Sequence, residues 1–273
     1  MIGIKECELN SIYSIALEML DDIEHIYGKE VNRHECGSSE PGFKELEDMT
    51  GFLKNGELLV VATRSEQLRK GFILQIAYQV AFSLKQEVAI FSANESLLRF
   101  TRKLVDLIAD IPSNASIYDG QLNEAEFQRL ATALVKLGHA PIYMNQGRLV
   151  ILDDLCEKAM RRHRQSGEIG LILVDYTQQI MDGNFRVNDH QHSLIRFKKL
   201  AIELMVPVIA IYQLDPVVEN HPSTLTRFEL VEIERLSPAT DGVMLMSGTP
   251  ERLIFTEPKI SKYKRSQVAL EKL

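Results

Sequence analysis

LILVDYTQQ, residues 171–179, decides the fold class. Four apolar residues, Leu171–Val174, run unbroken and stop at an acid, Asp175. A strand that is apolar at every position, rather than at alternate ones, is buried on both faces, as in a parallel sheet covered by helices on each side. The same texture recurs along the chain at Leu58–Ala62, Val88–Phe91, Ile142–Met144, Val208–Ile211, Val243–Met246 and Leu253–Phe255. Helical patterns separate these runs, near 71–84, 95–110, 123–138, 152–166 and 190–205. The alternation predicts an α/β fold, a mainly parallel sheet with helices on both faces and right-handed crossovers. The last stretch, 241–270, has strands with no long helix between them and predicts an antiparallel extension.

Ligands of such sheets bind at the carboxyl ends of the strands, here 63–70, 92–95, 175–179 and 212–215. An apolar strand ending in an acid, as at Asp175, is how nucleotide hydrolases hold Mg²⁺ beside a phosphate. The plainer alternative is an acid that finishes its strand and bonds the neighbouring loop. Gln213, in VPVIAIYQLD, is placed either to sense a phosphate or to serve turn chemistry. A phosphate cradle requires G-x-x-x-x-G-K-[ST], whose glycines let backbone N–H groups wrap the phosphates while Lys supplies charge and a hydroxyl binds Mg²⁺. The residues after Leu58–Ala62 read TRSEQLRKGF, and the motif occurs nowhere in the chain.

Around this core, residues 5–27 predict an amphipathic helix, with Leu9, Ile12, Ala16, Leu20 and Ile23 at three-to-four-residue spacing. Gly28–Pro41 reads as a linker, and Phe43–Met49 as a short helix. The division is therefore 1–41, linker helix and linker, and 42–273, the α/β domain. The 273 residues carry 31 Lys and Arg against 38 Asp and Glu, a net charge of −7, which argues against a chain that grips nucleic acid through clustered cations. Cys7, Cys36 and Cys156 are too few and too scattered for a disulfide framework or a zinc site. Acids interrupt the first ten residues and no apolar run reaches ~18 residues, so the expectation is a cytoplasmic chain with no membrane span. Asp189-His190-Gln191-His192 lacks a further ligand pair, and no metal is expected there.

Taken together, several stretches resemble the C-terminal RecA-like motor domain of the DnaB-type replicative DNA helicases, a P-loop NTPase fold. They are Gly42–Arg64 (GFKELEDMTGFLKNGELLVVATR), Phe91-Ser92, Asp175-Tyr176-x-Gln178 and LAIELMVPVIAIYQL (200–214). The helix at 5–27 is similar to the family's linker helix, which packs on an adjacent subunit. The likeness runs from about residue 5 to about residue 268. The family's N-terminal collar domain has no counterpart in these residues.

The resemblance also locates departures. In an ungapped alignment from Val61 to Leu74, Leu68 falls at the cradle's second Gly, projecting where phosphate would lie. Arg69 falls at its Lys, and Lys70 at its Mg²⁺-binding hydroxyl. With Arg64, these form a degenerate phosphate loop. The family's water-polarising acid falls at Asn94, with Glu95 next to it pointing elsewhere. Its trans-acting arginine falls at Ser261. Asp175 and Gln213 are retained. Lys259, Lys262, Lys264 and Arg265 keep the loop around Ser261 basic, and the resemblance makes that loop partner-facing. The segment resembling the DNA-contacting loops, DPVVENHPSTLTRF (215–228), carries a single Arg.

With four catalytic elements altered at once, the expectation is a pseudo-ATPase relative of the helicase motor that needs no cofactor. It would act in or on DNA replication through contacts with itself or a replicative helicase ring, with weak or no single-stranded DNA binding. The alternative is an ATP-dependent DNA helicase in which Arg69 or Lys70 takes the lysine's role and Asp175 holds Mg²⁺ beside ATP. Between them stands a module that binds nucleotide or DNA without turnover.

Overall fold

Alternate residues of the buried strands face opposite sides, and this divides the interior into two layers. The computed structural model describes residues 9–31, 54–93, 95–110, 122–145, 150–167, 169–175, 180–182, 185–186, 190–214, 234–249, 252–256 and 267–271. The strands are β1 (Leu9–Ser11), β2 (Leu58–Thr63), β3 (Glu87–Ser92), β4 (Ile142–Asn145), β5 (Ile169–Asp175), the short pair β6 (Met181–Asp182) and β7 (Phe185–Arg186), β8 (Val208–Gln213), β9 (Gly242–Thr249), β10 (Arg252–Thr256) and β11 (Gln267–Glu271). The helices are α1 (Ile12–Tyr27), α2 (Glu66–Tyr78), α3 (Leu97–Ala109), α4 (Glu124–Leu137), α5 (Leu152–Ser166) and α6 (His190–Leu204).

Nine strands form one sheet in the order β1-β4-β3-β5-β8-β2-β9-β10-β11. The six from β4 to β9 are mutually parallel. Val61, Val88, Ile90, Leu173 and Ile211 face a core roofed by α1–α4. Val60, Ala62, Phe91, Val174 and Ala210 face a second core under α5 and α6. This is the expected sheet with helices on both faces. The chain's last strands differ in one respect. β9 pairs parallel with β2 and belongs to the main sheet, while β10 and β11 form the antiparallel edge.

Two helices begin elsewhere than the periodicity alone suggests. Leu9–Ser11 pairs antiparallel with β4 instead of opening a helix, and Ser11 then caps α1 by accepting from the Tyr13 amide at 3.2 Å. α1 ends at Gly28, whose φ of 59° is the left-handed conformation that glycine adopts without penalty. α2 starts at Glu66, five residues before the expected position, because Ser65 supplies its cap. Its last turn widens into a π segment, Gln79–Ser83. The expected helix Phe43–Met49 and the boundary at 41/42 lie outside the described residues.

The resemblance places a linker helix on a neighbouring subunit. Here the apolar face of α1, Ile12, Ala16, Met19, Leu20 and Ile23, is buried in this chain's own core against α3 and α4. Leu20 is 1% exposed. Leu20→Ala therefore lowers the stability of the whole domain by about 2–5 kcal/mol in a single cooperative transition, measured by denaturant unfolding.

Candidate functional site

The register of the central strands brings four polar residues to one edge of the sheet. Ser92 pairs across from Asp175, and Thr63 across from Gln213, each at or next to the carboxyl end of its strand. Asp175 is 3% exposed. One carboxylate oxygen accepts from the Ser92 hydroxyl at 2.6 Å, and the other pairs with the guanidinium of Arg69. Arg69 is itself 1% exposed, among the largest fully buried side chains in the molecule.

This geometry follows from the turn before α2. Only Arg64 and Ser65 separate β2 from the helix. The Ser65 hydroxyl accepts from the Leu68 amide at 3.2 Å, and the Ser65 amide donates to Thr63 Oγ1 at 3.2 Å. Helical periodicity then sends Leu68, Phe72 and Ile76 into the core. Leu68 thus faces inward instead of projecting into the strand-end space. One residue on, Arg69 is carried beneath the helix to Asp175. Lys70 stays at the rim, its Nζ 2.5 Å from Glu66, and draws the Glu66 carboxyl below the usual carboxylate range. Gln213 donates its amide to the Arg64 carbonyl at 2.6 Å, and the Leu214 amide donates to the Thr63 carbonyl at 2.8 Å, holding this turn against β8.

A small cleft, with free space of only about 10 Å³, lies beside these strand ends. Its polar lining is Lys70, Ser92, Glu95, Lys103 and Asp175, over an apolar floor that includes Ile73, Phe100 and Met144. Glu95, expected to point away, lies on the cleft wall and is 7% exposed. Its amide donates to Ser92 Oγ at 3.0 Å, and its carboxylate lies 2.5 Å from Lys103 Nζ on α3. Burial pulled it inward once a cation on the next helix could accompany it. Asn145, at the end of β4, accepts from the Ser92 amide at 2.7 Å and donates to the Ser92 carbonyl at 3.1 Å. The sequence reading includes Ser92 among the strand ends and in the resemblance but gives it no role, and it passes over Lys103 and Asn145. The available signal for Ser92 and Asn145 is a polar residue ending an apolar run.

Each acid at the cleft thus meets a cation of the same chain: Asp175 with Arg69, Glu95 with Lys103, and Glu66 at the rim with Lys70. Among the described residues no group of three or more His, Cys, Asp or Glu comes together to hold a metal ion. Among the described residues no helix is long and apolar enough to cross a membrane. Asn94, Ser261, Lys259, Lys262, Lys264 and Arg265, and the segment 215–228, lie outside the described residues.

Comparison with known proteins places this geometry in context. The model of the DnaB-like helicase C terminal domain matches residues 39–247. The chain is 30% identical over 214 residues to the replicative DNA helicase DnaB of Geobacillus stearothermophilus, covering 77% of this chain and 46% of that protein. It is 28% identical over 215 residues to the replicative DNA helicase DnaC of Bacillus subtilis, with the same coverage of 77% and 46%. The chain thus spans about half the length of these curated relatives. Among solved structures, an isolated ATPase domain superposes with a TM-score of 0.70 at 20% identity, covering 94% of both chains. A DnaB-like replicative helicase, solved in a study of its interactions with primase, superposes with a TM-score of 0.71 at 19% identity, covering 95% of this chain and 72% of that one. The RecA-like helicase ATPase fold is shared with both.

The Arg69–Asp175 pair sets a stability prediction. Arg69→Met leaves a carboxylate buried without its counter-charge and lowers unfolding free energy by about 3–5 kcal/mol. Arg69→Met combined with Asp175→Leu removes both charges and recovers most of that loss. Denaturant unfolding of the single and double variants measures the difference.

Proposed function

The chain belongs to the DnaB-like helicase C-terminal domain family, and from that premise we propose that it is a non-catalytic relative of the replicative helicase motor. It acts in or on DNA replication through protein contacts, with itself or with a replicative helicase ring. The observation that carries this reading is the buried Arg69–Asp175 pair. Asp175 stands where a motor of this fold would hold Mg²⁺, and its oxygens are engaged by Arg69 and Ser92. A metal ion there would have to break a buried charge pair, which is costly.

Two further features support the same reading. A phosphate cradle is a loop long enough to wrap an anion with backbone N–H groups. The β2–α2 connection is two residues long, and the Ser65 side chain already occupies the Leu68 amide. The first turn of α2 also carries Glu66, whose negative charge uses the helix dipole that would otherwise favour a phosphate. Asn at position 94 and Ser at 261 supply neither a general base nor a cation to the transferring phosphate.

A second reading, an ATP-dependent DNA helicase with an unusual phosphate loop, draws on Lys70 and Asp175 lining one cleft. It requires the Arg69–Asp175 pair to open so that Arg69 or Lys70 meets the phosphates.

Titration with a non-hydrolysable ATP analogue in the presence of Mg²⁺, together with an ATPase assay, separates the two. The proposal expects no saturable heat, and no turnover above the Asp175→Asn variant with or without single-stranded DNA. Turnover that single-stranded DNA stimulates and Asp175→Asn abolishes would establish the helicase reading instead. Saturable binding without turnover would assign the chain to a nucleotide-sensing role.

A further inference from the structure

The N-terminal element grips the sheet at its edge from both faces. Leu9 of β1 packs, partly buried, against the core under α5 and α6. Ile12, Ala16, Met19, Leu20 and Ile23 of α1 enter the core on the opposite face. Between these two anchors β1 covers β4, with Leu9 opposite Asn145, Asn10 opposite Met144 and Ser11 opposite Tyr143. α1 is held deeply, since none of its inward residues is more than 1% exposed. β1 is held lightly: it has three residues, and all three are half-buried. A short edge strand of this kind opens locally at a lower free energy than the fold as a whole.

Asn145 works in two directions. Its backbone ends β4 opposite Leu9. Its side chain takes both backbone groups of Ser92, accepting from the amide at 2.7 Å and donating to the carbonyl at 3.1 Å. The backbone register of β3 with β4 stops at Ile90 and Met144, so the Asn145 side chain carries the pairing past the end of the ladder. Ser92 and Asn145 are both buried. A backbone group buried there has no water to replace a lost partner, so Ser92 keeps Asn145 or the strand end opens. The Ser92 hydroxyl donates to Asp175 at 2.6 Å and accepts from the Glu95 amide at 3.0 Å. A continuous run of contacts thus leads from the rim of the sheet to the buried charge pair, through Leu9, Asn145, Ser92, Asp175 and Arg69.

We propose that β1 is a lock on the strand-end network. While β1 lies on β4, Asn145 is fixed and holds Ser92 against Asp175. When β1 lifts, Asn145 loses its outer neighbour and releases the Ser92 backbone, and the turn from Ser92 to Glu95 opens. α1 and the centre of the sheet stay in place, because their burial does not involve β1. A coupling between distant positions needs an element with two arrangements, and β1, on the edge or off it, is that element. The strand-end region is thereby opened from the rim of the sheet, with nothing inserted between its charges. The lock goes beyond the non-catalytic reading and does not depend on it, since it acts in the same way on a site that binds nucleotide.

Amide hydrogen exchange of the whole chain, followed by NMR at low denaturant concentrations, tests it. The reporters are the Ser92 and Glu95 amides. The reference is the Ile172 amide, which donates to the Pro207 carbonyl at 3.1 Å in the middle of the sheet. In the wild type the reporters are expected to exchange faster than Ile172 and with little dependence on denaturant, the mark of a local opening. Leu9→Asp removes the apolar anchor of β1 and leaves the Ser11 cap and the inner face of α1 as they are. It speeds both reporters by about tenfold, the effect of weakening a local contact by one or two hydrogen bonds. Leu9→Ala, a milder change that keeps the fold, speeds them less. Asn145→Ala speeds them by itself, and Leu9→Asp added to it has no further effect, because the connection through residue 145 is already cut. Reporters that exchange together with Ile172 in the wild type overturn the proposal, since the strand end then opens only with the whole fold. Reporters indifferent to both Leu9 variants also overturn it, and leave β1 a cover for the edge of β4. So do effects of Leu9→Asp and Asn145→Ala that multiply in the double variant, because the two then act independently.

Discussion

The Arg69–Asp175 pair is the constraint on which the strand-end region depends. Two charges withdrawn from water are tolerable only in each other's company, with hydrogen bonds meeting what remains. Arg69 comes from the first turns of α2, Asp175 from the tip of β5, and Ser92 of β3 completes the contact. Three elements distant in sequence are thereby held at one point. Asn145 extends the network to β4 by bonding both backbone groups of Ser92. Gln213 extends it to β8 through the Arg64 carbonyl. The carboxyl edge of the sheet is an interlocked set of polar contacts rather than an open groove.

That set explains how a motor-type fold persists where its chemistry is proposed to be gone. The parallel sheet, its two cores and the order of its strands rest on apolar burial and need no nucleotide. The strand-end acid, which in an active motor would gain stability from a bound metal, gains it here from an arginine delivered by the adjacent helix. Early capping at Ser65 is what makes the delivery possible. A longer loop would leave residue 69 near the helix start, facing solvent. Chemistry at the strand ends and stability of the sheet are thus separable, and a chain can give up the first without losing the second.

The sequence carried the strands and helices because each is local. Leu58–Thr63, Glu87–Ser92, Ile169–Asp175 and Val208–Gln213 are apolar for most of their length, and a doubly covered parallel strand reads that way. Asp175 and Gln213 were visible for the same reason, as polar residues where an apolar run stops. The direction of Arg69 was not visible, because it depends on where α2 begins, and that turns on one serine cap. Glu95 reads as an acid pointing away from the site until Lys103, eight residues on, is seen beside it on α3. Leu9–Ser11 fits the helical stripe of α1 equally well as strand or helix, and the free edge of β4 decided it. The parallel seat of β9 beside β2 is likewise a long-range pairing with no local signature.

The sequence by itself determined an α/β chain with a mainly parallel sheet, the family resemblance and the absence of a glycine-rich cradle. These follow from hydrophobic periodicity and residue type, which are properties of single stretches. Only the tertiary structure decided that α1 lies in this chain's own core and that Arg69 closes on Asp175. Only it showed that Glu95 lines the cleft. Each of those depends on which element stands beside which, and burial is settled by neighbours far away along the chain.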